Sequence, residues 1–383
     1  MITFCIPSKN NLRYLKPCIK SIQDNSYYPN QIIVYVDQDT DGTVEWLIEN
    51  GIKFIQNHEE TPRGIGFAYD NMFQWADREY VIAFHADMIL GPHADKHMMD
   101  IKTKDNIVCA TRIEPPLHPA GIEKIVQDFG MWPEDLKIEE FNRFVEANKS
   151  DKITKSIFAP WLIRKDQHLG HDPIFLSVFE DADLFRRFKL HGYDLIQSWS
   201  AMVYHLTCRG GQFAHAEKME DFNKKDESWQ KNNQISANEY IRKWGGFLKQ
   251  TDTLEPIPNI KYNVGLKILN CFNDGVLGVE PFFDQIQCEA DPTNYINKNK
   301  DISSFDIASK FVSELTTDMI LEADYKDILN NQELFNYILH NLPELITNEV
   351  EEPGQYELQI FKLIVREKKS QPIGLLFPGI VNL

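Results

Sequence analysis

The chain has 383 residues, of which 43% are hydrophobic and 25% are charged, and its net charge at pH 7 is −17. This composition is typical of a globular protein with one large core or two smaller ones, and it excludes low-complexity and disordered classes. The charge is uneven, because residues 251–383 hold 10 Lys and Arg against 21 Asp and Glu. We expect no nucleic-acid partner, since neither part has the basic excess that phosphate binding needs.

The sequence favours a cytoplasmic location. No apolar run approaches the roughly 20 residues that span a bilayer, so we expect no transmembrane segment. Residues 1–7 lack the basic start of a signal peptide and lead directly into a strand. The six cysteines form no C-x-x-C pair, which indicates buried thiols in a reducing compartment and no zinc site.

The first hundred residues alternate strand-like and helix-like segments. Three helices are predicted. The first begins near Leu12 with Asn10 or Asn11 as its cap, and the other two cover 43–50 and 67–77. Buried strands are predicted by β-branched and aromatic runs over 2–7, 31–36, 53–56 and the start of 79–88. The alternation predicts an α/β fold with a doubly wound, mostly parallel sheet.

Polar residues follow two of these strands, where ligands bind in open α/β sheets. The stretch 79–88 ends in His85 and Asp87, a position suited to a metal ion or a phosphorylated ligand. The second strand ends in Asp37, the better candidate for ligand contact, whereas Asp41 is expected to cap the next helix. The glycine loop at Arg63-Gly64 is a weaker indication of a phosphate site.

The rest of the chain repeats this pattern less clearly. A helix with acids in its first turn is predicted at 179–188, and a strand ends in His205 with Arg209 behind it. The prolines in 251–259 indicate a linker. We therefore predict a domain over 1–250 and a smaller accessory α+β domain of unknown role over 260–383, with a strand at 356–365.

Together these motifs resemble family 2 glycosyltransferases of the GT-A fold, over roughly the first 210 residues. The resemblance is carried by five motifs in the expected order: Ile6-Pro7-Ser8-Lys9-Asn10, the acidic run from Val36 to Asp41-Gly42-Thr43, Arg63-Gly64, His85-Ala86-Asp87, and Glu180-Asp181-Ala182-Asp183-Leu184. It implies an inverting enzyme that moves a sugar from a nucleotide-diphospho-sugar to an acceptor hydroxyl, with Mn²⁺ or Mg²⁺ as cofactor.

The resemblance and the chemistry of this reaction imply roles for particular residues. Asp87 and His205 are the expected metal ligands, and Asp181 is the expected general base with Glu180 beside it. Trp161 and Asp172 are candidates for acceptor contact. The expected nucleotide-sugar contacts are Pro7, Ser8, Asn10, Asp37, Asp39, Arg63, Gly64, His85, Ala86 and Arg209. His85 replaces the family's first acid, so either a ribose or a metal contact is open for it.

Two other readings remain at this point. A nucleotidyltransferase shares the doubly wound core, but it needs a basic, glycine-rich loop after the first strand, and Pro7–Asn10 contains no glycine. A non-catalytic sugar-nucleotide-binding module is the second alternative, against which the retained Asp87, Asp181 and His205 count. The sequence identifies neither the sugar, the base nor the acceptor.

Overall fold

The structure is a computed structural model that describes residues 2–176 and 178–371. The chain divides into two compact units. The first comprises the described residues up to Asn232 together with Gln250–Ile257, and the second comprises Asn233–Lys249 and the described residues from Pro258 onward. The division into domains 1–250 and 260–383 stays a prediction. None of the described helices is both long enough and apolar enough to cross a membrane.

The first unit is built on a ten-stranded mixed sheet. Its strand order is β3-β2-β1-β4-β9-β6-β10-β5, with β7 beside β6 and β8 beside β10. The strands are β1 Ile2–Lys9, β2 Gln31–Gln38, β3 Lys53–Gln56, β4 Tyr80–Ala83, β5 Met88–Leu90, β6 Asn106–Glu114, β7 Lys124–Val126, β8 Ile153–Lys155, β9 Trp161–Arg164 and β10 Asp194–His205.

The sheet is mostly parallel, and this sets the edge where the site forms. β1 pairs in parallel with β2 and β4, so that Cys5 lies beside both Ile33 and Ala83. β9 runs antiparallel to β4 and β6, and β6 pairs in parallel with β10. The carboxyl ends of β1, β2, β4, β6 and β10 therefore all lie at one edge. The predicted α/β class and mostly parallel sheet are confirmed.

Helices cover this sheet with apolar faces. In the first helix Leu15, Cys18, Ile19 and Ile22 are fully buried at helical spacing. The helices are α1 Leu12–Asn25, α2 Thr43–Glu49, α3 Ile65–Trp75, α4 Ala94–Asp100, α5 Ile138–Asn148 and α6 Glu180–Leu190. A further helix, α7 Glu227–Trp244, belongs to the second unit from Asn233 onward.

The capping of α1 differs from the expectation. Asn11 precedes the helix, but its side chain makes no capping hydrogen bond. Instead Oδ2 of Asp41 accepts the N–H of Leu12 at 2.8 Å. The first helix is therefore capped from the end of β2, a contact between residues 29 positions apart that no local pattern predicts.

The second unit has its own five-stranded sheet in the order β12-β11-β13-β15-β14. Its remaining elements are β11 Val264–Leu269, β12 Gln285–Gln287, α8 Thr293–Asn299, β13 Met319–Asp324, α9 Tyr325–Asn330, α10 Gln332–Glu349, β14 Gly354–Leu358 and β15 Phe361–Val365. The predicted continuous strand at 356–365 is wrong, because the chain turns at Gln359, which has φ of 60°, and forms a hairpin.

Candidate active site

The centre of the site lies in the turn after β4. β4 ends at Ala83, so the strand is shorter than predicted, and His85 and Asp87 lie in the turn before β5. The N–H of Met88 donates to the carbonyl of His85 at 3.2 Å, which closes the turn. The N–H of Leu206 donates to the carbonyl of Asp87 at 3.0 Å. This bond fixes the turn against the end of β10.

Three potential ligands of a cation meet at this point. One side-chain atom each of His85, Asp87 and His205 lies within 4.8 Å of the others. Nε2 of His205 lies 3.6 Å from Oδ1 of Asp87, too far for a hydrogen bond. This nitrogen is buried and has no hydrogen-bond partner among the described residues. The spacing suits two ligands of one ion, so the residues present fit a divalent metal.

A buried carboxylate orients His205. Nδ1 of His205 and Oε1 of Glu114 are 2.8 Å apart, and Glu114 also accepts hydrogen bonds from Arg112 at 2.9 Å and Lys124 at 2.7 Å. A carboxylate on Nδ1 holds a proton there, so that Nε2, which faces Asp87, is the nitrogen left to bind an ion that displaces its proton. No role was assigned from the sequence to Arg112 and Glu114 at the end of β6. Charged residues are unusual in a buried strand, and this feature could have indicated a site.

The charges around His85, Asp87 and His205 favour a positive charge between these side chains. Burial lowers the pKa of His205, but the carboxylates of Asp87 and Glu114 outweigh it and raise that pKa to about 9. Burial raises the pKa of Asp87, yet the neighbouring imidazoles hold it well below its usual range. Burial lowers the pKa of His85 to about 4, so this imidazole is neutral at pH 7 with a lone pair available. A pocket that holds a proton between two carboxylates also suits a cation.

Arg209 lies against the same centre. Its backbone N–H donates to Oδ2 of Asp87 at 2.8 Å, and its Nη2 donates to the carbonyl of Met131 at 2.7 Å. The guanidinium lies over the rings of Trp132 and Phe222, at 4.9 Å and 4.3 Å. Arg209 is only 3% exposed, and its Nε and Nη1 have no partner in the described part of the chain. These unsatisfied donors suit an anion.

A second polar group forms at the end of β2. Oδ1 of Asp37 accepts the N–H of Arg63 at 2.8 Å and the side-chain amide of Asn57 at 2.9 Å, and its Oδ2 accepts the N–H of Gly64 at 3.0 Å. Gly64 has φ of +87°, and a Cβ there would lie 2.0 Å from the carbonyl oxygen of Leu176. Asp37 therefore holds the glycine loop in a conformation that only glycine allows.

Asp39 and Asn10 have structural partners at this edge. The carboxylate of Asp39 accepts the N–H groups of Thr43 at 2.8 Å and Val44 at 3.1 Å, so Asp39 caps α2 more closely than the expected Asp41 does. Oδ1 of Asn10 accepts the N–H of Thr40 at 2.8 Å. Both residues therefore shape the loop after β2 and have fewer free atoms for a nucleotide than the sequence suggested.

The remaining nucleotide candidates lie around these two groups. Pro7 and Ser8 lie near the carboxyl end of strand β1, and the buried hydroxyl of Ser8 has no hydrogen-bond partner among the described residues. Ala86 is buried between His85 and Asp87. The guanidinium of Arg63 pairs with Glu59 at 2.5 Å and lies 4.1 Å above the Phe67 ring.

Two acids open helix α6, of which Glu180 is buried and Asp181 is half-buried. Glu180 and Asp181 lie in its first turn, preceded by Phe179 with φ of 72°. Burial raises the pKa of Asp181, although the charges of His171 and Arg112 act in the opposite direction. Burial and the charge of Asp181 raise the pKa of Glu180, whose Oε2 has no hydrogen-bond partner in the described chain. A carboxyl with a raised pKa accepts a proton more readily than an ordinary one.

The acceptor candidates occupy different environments. Trp161 is 2% exposed, and its ring packs edge-on against Phe73 and Phe185 at about 6 Å. It is therefore a core residue, and its burial counts against the acceptor contact for which it was a candidate. Asp172 is also buried, and its Oδ1 accepts the N–H of Ile174 at 3.1 Å, so it shapes the loop before α6.

A second histidine cluster, which the sequence did not indicate, lies between helix α3 and the loop before α6. Oδ1 of Asp70 lies 2.7 Å from Nε2 of His168 and 2.6 Å from Nδ1 of His171. The N–H of His171 also donates to Oδ2 of Asp70 at 2.9 Å. These hydrogen bonds account for the cluster, which fixes the loop before α6 to helix α3. No local sequence pattern indicated that His168 and His171 act together, because their shared partner, Asp70, lies almost a hundred residues earlier.

Comparison with known families agrees with the resemblance seen in the sequence. Residues 3–161 match the family model described as glycosyl transferase family 2. This match confirms the predicted resemblance over this part of the chain. No curated protein matches the chain.

Three solved structures are among those similar to the chain. GalNAc-T7 with UDP, GalNAc and Mn²⁺ is 13% identical over 54% of this chain, with a TM-score of 0.41. TarS of S. aureus is 14% identical over 63%, with a TM-score of 0.40. The mannosyltransferase PcManGT from Pyrobaculum calidifontis, in complex with GDP-Man and Mn²⁺, is 14% identical over 56%, with a TM-score of 0.39. The matches span 43%, 43% and 59% of those chains.

Proposed function

We propose that the protein is an inverting, metal-dependent glycosyltransferase that moves a sugar from a nucleotide-diphospho-sugar to an acceptor hydroxyl. The observation that carries this proposal is the geometry around His205. Its Nδ1 is held by Glu114 at 2.8 Å, and its unpartnered Nε2 faces Asp87 at 3.6 Å. Asp87 and His205 would hold the ion, Mn²⁺ or Mg²⁺, at the carboxyl ends of β4 and β10.

A divalent ion at this point would neutralise the charge of the departing nucleoside diphosphate. Arg209 supports the same task from the protein side. Its backbone fixes Asp87, and its Nε and Nη1 are unsatisfied in a buried site. A diphosphate would accept hydrogen bonds from this guanidinium, which lies against the rings of Trp132 and Phe222.

The loop held by Asp37 would receive the nucleoside. Asp37 fixes the backbone of Arg63 and Gly64, which brings this loop beside the ends of β1 and β2. Pro7, Ser8 and Asn10 border the same edge from β1. This arrangement supports the assignment of the donor to the edge that contains both the loop and Asp87.

Asp181 would remove the proton of the acceptor hydroxyl. It opens α6, and burial raises its pKa, which makes its carboxylate a stronger base. Glu180 is its neighbour and its rival for this role. A base on the face of the sugar opposite the leaving group gives a single displacement, which inverts the anomeric configuration.

The proposal is tested by donor turnover. The full chain is incubated with UDP- and GDP-sugars, with Mn²⁺ or Mg²⁺ and with EDTA, and release of the nucleoside diphosphate is measured. Release that requires the ion and is lost in Asp87→Asn supports the proposal, and NMR of a transfer product gives its anomeric configuration. Binding of a donor without release would favour a non-catalytic module. Release of pyrophosphate from a nucleoside triphosphate incubated with a sugar 1-phosphate would favour a nucleotidyltransferase.

A further inference from the structure

We propose that His85 is a third ligand of the cation site and makes this site selective for transition-metal ions over Mg²⁺. The inference rests on the proposed function, since it concerns the same ion. It goes further because it assigns His85 a metal contact, where the sequence left a ribose contact equally open. It also distinguishes Mn²⁺ from Mg²⁺, both of which the proposed function allows.

The first argument is the position of the His85 ring. Its ligand atom lies within 4.8 Å of those of Asp87 and His205, and the centroids of the two imidazole rings are 5.9 Å apart. The imidazole of His85 makes no hydrogen bond with any described residue. The backbone carbonyl of His85 accepts a hydrogen bond from the thiol of Cys18. The ring nitrogens are therefore available to a ligand at the shared point.

The second argument is that the other two ligands have one free atom each. Oδ2 of Asp87 is taken by the N–H of Arg209, which leaves Oδ1 facing His205. Nδ1 of His205 is taken by Glu114, which leaves Nε2. The donor set directed at the ion is therefore two imidazole nitrogens and one carboxylate oxygen.

This donor set determines the class of ion. Mg²⁺ takes oxygen ligands in octahedral geometry and releases its waters reluctantly, so two imidazoles suit it poorly. Two histidines and one carboxylate suit first-row transition ions, whose affinities rise from Mn²⁺ through Co²⁺ at sites of this kind. We expect Co²⁺ to bind most tightly of the three ions, Mn²⁺ less tightly and Mg²⁺ weakest.

The test is a binding measurement that does not depend on turnover. Calorimetry of the full chain with Mg²⁺, Mn²⁺ and Co²⁺, with and without UDP or GDP, gives the affinity ratios, and the visible spectrum of bound Co²⁺ reports nitrogen ligation. In His85→Asp, which offers oxygen in place of nitrogen, the ratio of Co²⁺ to Mg²⁺ affinity should fall by at least about tenfold. The exposed His215→Asp should leave the ratio unchanged.

Two further variants keep the result unambiguous. His85→Asn replaces His85→Asp if the latter fails to fold, and it should lower Co²⁺ affinity at least about tenfold. His168→Ala removes a ligand from the other histidine cluster and should leave Co²⁺ affinity at this site unchanged. Loss of Co²⁺ binding in His168→Ala would overturn the inference, because the ion would then belong to the Asp70 cluster.

Other outcomes separate the inference from the function on which it rests. Equal affinities of the wild type for Co²⁺ and Mg²⁺, or an unchanged ratio in His85→Asp, would overturn the role of His85 while ion-dependent donor turnover still supported the glycosyltransferase. Absence of binding of any of the three ions, together with donor turnover in EDTA, would overturn the metal dependence of the proposed function as well.

Discussion

Glu114 holds His205 by a hydrogen bond of 2.8 Å between two side chains that are both almost fully buried. The two residues end neighbouring parallel strands, β6 and β10, and lie 91 positions apart in the chain. In the proposed site Glu114 would not touch the ion. Its contribution would be to fix the tautomer and the rotation of the imidazole that does.

This relationship predicts the effect of Glu114→Gln. The amide still fills the space but no longer requires a proton on Nδ1 of His205, so cation affinity should fall by about 10–100-fold. Calorimetry with Mn²⁺ or Co²⁺ measures the change. The matched control is Glu123→Gln, since Glu123 pairs with Arg112 at 3.3 Å without touching His205. Equal losses in both variants would mean that the ion pairs with Arg112 matter and the orientation of His205 does not.

A second prediction concerns Asp87. Asp87→Ala should abolish metal-dependent nucleotide binding, because it removes a ligand and the acceptor for the N–H of Arg209. Asp87→Asn keeps an oxygen for that N–H and removes only the charge, so it separates the two effects. Nucleotide affinity is measured with and without Mn²⁺ in each variant. Manganese-dependent affinity that survives in both would contradict the assignment of Asp87 as a ligand.

The sequence predicted the framework of this site well. The β-branched runs of β1, β2 and β4 determine their own strands, and the turn at His85-Ala86-Asp87 necessarily follows the last of them. A strand order that places β1 between β2 and β4 then brings the ends of these strands together. His205 could be placed for the same reason, because it is the last residue of a strand.

The partners of these residues could not be predicted. Glu114, Asn57 and Asp70 act through contacts with residues 20 to 101 positions away, and nothing in their local sequence distinguishes them from other polar residues. The structural role of Asp39 could not be predicted for a related reason, because a carboxylate after a strand can cap the next helix as readily as bind a ligand. Trp161 belongs to a buried strand, and only the packing of Phe73 and Phe185 shows which side its ring occupies.

A third prediction concerns the glycine loop. Asp37→Ala leaves the N–H groups of Arg63 and Gly64 and the amide of Asn57 without their acceptor. Donor affinity should fall, and the free energy of unfolding should decrease by about 1–3 kcal/mol for the buried donors left unpaired. Asp37→Asn retains one acceptor and should cost less stability. Nucleotide titration and thermal melting check the two effects, and normal donor affinity in Asp37→Ala would remove this loop from the donor site.

The fourth prediction concerns stability as a function of pH. Burial and the charge of Asp181 raise the pKa of Glu180 above its ordinary value of 4.5, so the folded protein binds a proton that the unfolded chain has released. This contribution to stability is present below pH 4.5 and is lost as the pH rises through the raised pKa. Glu180→Gln should therefore be more stable than the wild type in mildly alkaline solution and should lose less stability between pH 5 and about 9. Melting curves of both proteins across this range measure the difference, and parallel curves would contradict the raised pKa.

The last prediction concerns the base. Asp181→Asn keeps the shape of the side chain and removes its basicity, so the fold should survive and the acceptor hydroxyl should lose its proton acceptor. Transfer should fall by about 10²–10⁴-fold. Donor affinity should stay nearly unchanged, because in the proposed site the donor is held by Asp87, His205 and Arg209. Single-turnover transfer rates and donor titrations measure the two quantities. Glu180→Gln is the matched variant: normal transfer in Asp181→Asn with a large loss in Glu180→Gln would move the role to Glu180. Normal transfer in both variants would show that the acids at the start of α6 are structural and that the proposed mechanism fails.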